Sequence, residues 1–215
     1  ESEQKRSPRA PFTTSTLQQT ASSRLGFSPS RTMQIAQKLY EAGLITYMRT
    51  DSTSLSNQAL DSIEKFITKN YDKKYLDRKN FASKVKNAQE AHEAIRPTHF
   101  ELDQLPTNED WSAVDRKIYA LIRNRAIQSV MSPARGETRK LIFKATGDPC
   151  EFDWQSTYKR TVFPGWKRLG QLARLDDEEE IRDSEEATWK LATAVKVGTK
   201  IQWTALEANP YTTKA

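Results

Sequence analysis

Tyr47 and Arg49 stand two residues apart in the run Leu44-Ile45-Thr46-Tyr47-Met48-Arg49-Thr50-Asp51-Ser52. In an extended chain, side chains alternate between faces, so Tyr47 and Arg49 point the same way. A phenol is a potential oxygen nucleophile. A guanidinium is a fork of donors that matches a phosphate and keeps its charge at any ordinary pH. A phenol beside a guanidinium is a chemically loaded pair. A phenol is a weak nucleophile at neutral pH until something takes its proton or stabilises the phenolate. Asp51 can orient Arg49, or cap the next segment instead. The pattern is short, and a tyrosine packed on a half-buried strand beside a solvated arginine would look the same.

The flanking residues predict how this run is held. Ser15-Thr16-Leu17-Gln18 has capping-box spacing and opens a helix to about Leu25, with Leu17, Ala21 and Leu25 as its stripe and Gly26 as its stop. Ser28-Pro29 starts a second helix, with Met33, Ala36, Leu39 and Tyr40 as the buried face and Gly43 as the stop. Helix, turn, helix, strand is the order of a winged-helix or helix-turn-helix unit, which binds DNA in some proteins and is plain scaffold in others. A third helix, capped by Ser54 or Ser56, runs from about Asn57 to Lys69 on Leu60, Ile63 and Ile67. Residues 70–90 read as loop with a short extended piece, and 88–95 as a helical turn around His92. Thr107 opens the longest helix, to about Ser129.

Past Ala134 the pattern changes. Residues 138–145 and 151–163 are β-branched and aromatic around Gly147-Asp148-Pro149, and 190–197 and 200–206 form a second such pair around Gly198-Thr199. All four read as antiparallel strands. Between the pairs, residues 176–186 are acidic without apolar periodicity and read as a mobile loop. Residues 1–9 read as a linker, 10–133 as a helical domain, 134–206 as β-rich, and 207–215 as a tail or the start of another domain.

The chain has 215 residues, 36% of them hydrophobic, and 34 Lys and Arg against 28 Asp and Glu, a net charge of +6. Residues 176–186 hold eight acids and one arginine, leaving 33 basic against 20 acidic side chains elsewhere. Between Lys5 and Arg49 there are seven basic residues and one acid. The surroundings of Tyr47 therefore suit a phosphate backbone, or form a solvated basic face. The single cysteine, Cys150, excludes an internal disulfide, and with two histidines it builds no Cys/His zinc cluster. No apolar run is long enough to predict a transmembrane helix.

Ile45-Thr46-Tyr47-Met48-Arg49-Thr50-Asp51-Ser52 resembles the active-site segment of the type IA DNA topoisomerases. Pro11-Phe12-Thr13-Thr14-Ser15-Thr16-Leu17-Gln18-Gln19 and Ser28-Pro29-Ser30-Arg31-Thr32-Met33 resemble the segments before that tyrosine in the bacterial topoisomerase I branch. Ala91-His92-Glu93-Ala94-Ile95-Arg96-Pro97-Thr98 resembles the downstream histidine motif. The four stretches come in the family's order, and the likeness is firm over residues 10–135. Topoisomerase III and reverse gyrase are neighbouring branches, and a non-catalytic winged-helix DNA binder is the alternative outside the family.

The resemblance implies an α+β fold: a helical, winged-helix-like tyrosine domain, then antiparallel strands forming one arm of the family's arch. It implies that Tyr47 attacks DNA and becomes linked to a 5′ phosphate, that Arg49 supports that phosphate, and that His92 holds DNA near it. A histidine satisfying backbone groups near a helix end is the other reading of His92. Arg31, Lys38 and Arg24 are candidate phosphate contacts, with Gln18 and Gln19 near the free amides at the first helix start. Arg96 is either a DNA contact or a structural fork between segments. The family's enzymes act as monomers on single-stranded DNA, in the cytoplasm at the nucleoid, without ATP. They use magnesium held by an Asp-x-Asp pair and a glutamate in another domain, and no Asp-x-Asp occurs here. The 215-residue chain alone is therefore predicted not to relax supercoiled plasmid in magnesium. Relaxed topoisomers on an agarose gel would contradict this.

Overall fold

The computed structural model describes residues 1–81, 92–106, 110–144, 153–169 and 175–200. They form five α-helices and one three-stranded antiparallel sheet, an α+β arrangement. Helix α1 (Thr14–Leu25) is capped by Thr13, whose hydroxyl accepts from the Thr16 amide while its own amide donates to Thr16 Oγ1 at 2.9 Å. The capping box thus starts two residues before the predicted Ser15, where the backbone is extended as a cap requires. Leu17 and Ala21 are buried, and Gly26, at φ 69°, closes the helix. Helix α2 (Pro29–Glu41) is capped by Ser28 and buries Thr32, Ile35, Ala36 and Leu39. Its buried stripe is rotated from the predicted one. Tyr40 is 40% exposed, because the face that meets α1 and α4 is centred on Ile35 and Leu39.

Helix α3 (Asn57–Asn70) is capped by Ser56 and buries Leu60, Ile63 and Ile67 as predicted. Helix α4 (Ala113–Ser129) starts at Ser112, which shares a capping box with Asp115; the predicted start, Thr107, lies outside the described residues. Apolar residues on α4 serve two cores. Ile118, Tyr119 and Ile122 join Phe12, Leu17, Leu39, Ile45 and Met48. Ala126 and Ile127 join Leu60, Ile63, Phe100 and Met131.

Strands β1 (Ser2–Arg6), β2 (Ala134–Lys144) and β3 (Asp153–Phe163) pair in that order, with a register shift between Arg135 and Gly136. The predicted linker is thus a strand, with Gln4 opposite Gly136 and Arg6 opposite Ala134. Its composition is polar because all five of its residues are exposed, and it is held by ladder hydrogen bonds rather than by burial. The predicted acidic loop is also corrected. It lies in helix α5 (Leu175–Ala194), which runs on through the start of the predicted 190–197 strand. Trp189 and Ala192 are buried at its far end. Residues 201–206, the other predicted strand of that pair, lie outside the described residues, as do 88–91. Residues 92–95 are not the predicted helical turn, because Ile95 bridges Phe12 instead. Residues 70–81 carry a 3-10 turn at Lys73–Tyr75. No described helix is long and apolar enough to cross a membrane.

A second 3-10 turn, Gly165–Arg168, leaves β3 against the end of α4. Gly165 sits at φ 52°, and a Cβ there would lie 2.5 Å from the carbonyl oxygens of Ser132 and Pro133. Gly165→Ala should lower stability by about 1–3 kcal/mol from backbone strain, before any clash is counted. Urea denaturation checks this, and an unchanged midpoint would show that the turn relocates at no cost.

Candidate active site

Residues 44–50 form no strand. Their only ladder contact among the described residues is the single bridge between Ile45 and Pro97. The backbone is held by threonines instead. Thr46 donates its amide to the Arg96 carbonyl at 2.9 Å and its hydroxyl to the Ala94 carbonyl at 2.8 Å, while accepting from the Arg96 amide at 3.0 Å. On the other side, Thr14 Oγ1 donates to the Met48 carbonyl at 2.7 Å and accepts from the Thr50 amide at 2.9 Å. The Thr14 amide donates to the Thr50 carbonyl at 2.9 Å. Gly43, at φ 71°, turns the chain out of α2, and Thr98 Oγ1 donates to its carbonyl at 2.8 Å.

Between these clamps the backbone bends at Thr46, Met48 and Arg49 rather than running extended. Met48 and Thr50 are buried, while Tyr47 (42% exposed) and Arg49 face outward. Both side chains reach solvent, but without the strand on which a shared face was expected. Among the described residues Arg49 has no ion-pair partner, and Asp51 neither pairs with it nor caps α3, which Ser56 does. The Tyr40 ring meets the Tyr47 ring edge to face, with centroids 5.3 Å apart and planes at 68°. Only its rotated place on α2 brings Tyr40 there.

His92 and Glu93 join Thr46, Tyr47 and Thr50 around a cavity of about 180 Å³. The structure thus brings His92, predicted from its motif, to the predicted tyrosine. Glu93 is the site residue that sequence reasoning missed. It accepts from the Ser56 amide at 2.5 Å and from Arg96 at 2.6 and 3.2 Å. Burial alone would push its carboxyl up, but the hydrogen bonds from Arg96 and Ser56 outweigh this and hold it below the usual range. Arg96 also donates to the Pro97 carbonyl at 3.0 Å, so its fork is occupied within the protein. That geometry matches the structural-fork reading of Arg96.

Lys38 is likewise engaged. Its Nζ donates to Asp115 Oδ2 at 2.9 Å and to the Asp110 carbonyl at 3.1 Å, and lies 4.5 Å from the centre of the Trp111 ring. It joins α2 to the start of α4. Arg31 is exposed in the first turn of α2, 5.2 Å from the Phe27 ring. On α1, Gln18 is half-buried, and Gln19 and Arg24 are exposed. Among the described residues no group of three His, Cys, Asp or Glu side chains gathers to hold a metal ion. The described residues therefore do not fit the magnesium site that the resemblance places in another domain.

A family model described as DNA topoisomerase matches residues 1–215. DNA topoisomerase 1 of Vibrio cholerae is 39% identical over 212 residues, which is 96% of this chain and 22% of that protein. DNA topoisomerase 1 of Escherichia coli (strain K12) is 44% identical over 176 residues, 81% of this chain and 20% of that protein. The structure of full-length topoisomerase I from Thermotoga maritima superposes with a TM-score of 0.67 at 35% identity, covering 79% of this chain and 28% of that one. The chain spans about a fifth of the length of these two curated relatives.

The Glu93–Arg96 pair couples the cavity to pH. A depressed carboxyl contributes stability above its unfolded pKa and loses it as pH falls through the folded value. Wild type should therefore lose its stability margin over Glu93→Gln as pH falls below about 4.3. Thermal melts of both proteins from pH 7 to pH 3 check this, and a constant difference would mean that the carboxylate charge contributes nothing.

Proposed function

The chain belongs to the DNA topoisomerase family, among its bacterial type IA members, and on that premise we propose that it is the nucleophile-bearing piece of an enzyme that relaxes supercoiled DNA. Tyr47 Oη attacks a backbone phosphorus in line. The phenolic O–H bond breaks and a phosphotyrosyl O–P bond forms to the 5′ phosphate, while the O–P bond to the 3′ oxygen breaks and that oxygen leaves as a hydroxyl, so the proton lost by the phenol is balanced by the one gained there. The phosphotyrosine keeps the energy of the broken diester, so resealing after strand passage needs no ATP. Arg49, which also reaches solvent, neutralises charge on the equatorial oxygens. His92, on the wall of the same cavity, holds a neighbouring phosphate of the single-stranded segment. Residues 10–133 act as the winged-helix-like tyrosine domain, and the sheet as one arm of the arch. The whole enzyme is a monomer in the cytoplasm, at the nucleoid, and magnesium is supplied by residues outside this chain.

One observation carries this reading. Tyr47 and Arg49 are both exposed on a loop whose backbone is hydrogen-bonded from two sides. A tyrosine that served packing would be turned inward, as Met48 is. Arg96 and Lys38, predicted as DNA contacts, are better explained as structural.

The test mixes the chain with a separately produced metal-binding domain, magnesium and 3′-end-labelled single-stranded DNA, followed by a detergent quench. A covalent 5′-linked adduct is expected. It should vanish in Tyr47→Phe and fall about a hundredfold or more in Arg49→Ala. DNA binding without adduct, once the added domain is shown to be folded, would instead favour a non-catalytic winged-helix binder.

A further inference from the structure

Among the described residues the buried charged side chains are Asp115, Arg123 and Arg125, and the first two, like the partly buried Glu93 and Glu137, have close polar partners. Asp115 has Lys38, Glu93 has Arg96, and Glu137 has Arg160 at 2.8 Å. Arg123, 6% exposed, donates to the Phe100 carbonyl at 2.9 Å and feels the negative charges of Asp103 and Glu101. Arg125, two residues on, is 8% exposed and lies 4.2 Å from the centre of the Phe12 ring. Its polar contact among the described residues is one long bond, 3.5 Å, from Nη1 to the Ala10 carbonyl. Among the described residues it has no ion pair with a carboxylate. Burial, and then the charges of Arg9 and Arg24, push its pKa down to about 10. Arg9 and Arg24 are exposed, one just before Phe12 and the other in the last turn of α1.

A desolvated guanidinium held against one aromatic ring and the carbonyl next to Arg9, with the charges of Arg9 and Arg24 acting on it, is a costly arrangement. An oxyanion outside Arg125 would relieve both the burial and the mutual repulsion. The planar forks match a phosphate, and the ring fixes the plane of the inner one. Phe12 is also continuous with Thr13 and Thr14, so the ring supporting Arg125 and the hydroxyl gripping the Tyr47 loop share one short segment. We propose that Arg9, Arg24 and Arg125 form a phosphodiester site, separate from the Tyr47 cavity, that holds the backbone of single-stranded DNA. The identity of the ligand rests on the DNA reading above.

The test is the affinity of the 215-residue chain for a fluorescent oligothymidylate, measured across a salt series. Arg9→Gln/Arg24→Gln alters only exposed side chains. Losing one phosphate contact should lower the slope of log K against log salt by about 0.7, which is about fivefold in affinity at 0.1 M salt. Arg125→Lys keeps the charge but loses the fork and should weaken binding in the same way. If that variant fails to fold, the double variant decides. An unchanged affinity and slope would overturn the site. Inorganic phosphate raising the melting temperature of wild type but not of the double variant, with the DNA slope unchanged, would assign it to free phosphate and overturn the DNA assignment. The adduct assay separates the two readings. Adduct formation with an unchanged slope overturns this site alone, whereas arginine-dependent binding without adduct overturns the nucleophile and leaves the site standing.

Discussion

The carbonyls of Met48 and Thr50 have no neighbouring strand to pair with, and a half-buried backbone cannot leave such groups unsatisfied. Thr14 solves this by donating its hydroxyl to Met48 and its amide to Thr50, while its hydroxyl also accepts the Thr50 amide. Thr46 does the equivalent work against Ala94 and Arg96. The loop carrying Tyr47 is thus sewn to the first turn of α1 and to residues 94–98. Each stitch uses a short β-branched side chain with few rotamers to lose. A regular strand would have supplied the same hydrogen bonds, but would have covered one edge of the loop. Side-chain stitching leaves Tyr47 and Arg49 open.

The clamp passes its constraint to both cores. Ile45 and Met48, each 1% exposed, point inward between the stitches and pack with Leu17, Leu39 and Ile122. Arg96 anchors the far side by gripping Glu93, which in turn caps the start of α3 through the Ser56 amide. Geometry therefore divides the arginines. Arg96, Arg123 and Arg160 are consumed by carbonyls, carboxylates and rings, whereas Arg49 faces solvent. Type and spacing alone do not make that division, since all four have the same side chain.

The sheet obeys a different rule. Most of its side chains are exposed, including Ile142, Trp154 and Val162, so its order comes from the ladder and from α5 rather than from a deep core. Trp189 of α5 lies between two guanidinium groups of the sheet, 4.7 Å from Arg160 and 5.8 Å from Arg139. Arg139 also bonds Glu1, and Trp166 Nε1 donates to the Arg6 carbonyl. The N-terminal strand is thereby fixed by contacts more than a hundred residues away in sequence, in a segment too polar to look like a strand.

What the sequence determined by itself was local. Caps at Ser28 and Ser56, glycine stops at Gly26 and Gly43, and the apolar stripe of α3 follow from nearest-neighbour hydrogen bonding and helical periodicity. The expectation that Tyr47 and Arg49 share a face was local in the same way, because it needs only an extended backbone. What only the tertiary structure decided was which groups meet. The strand at Ser2–Arg6 exists because β2 offers it a ladder, and the acidic run stays helical where Trp189 gives its far end a place to dock. Glu93 and His92 came to the tyrosine, Lys38 was drawn to Asp115, and Arg125 was buried against Phe12, each through contacts between residues far apart in the chain. Those pairings depend on the folded path of the chain, and spacing along the sequence carries no trace of it.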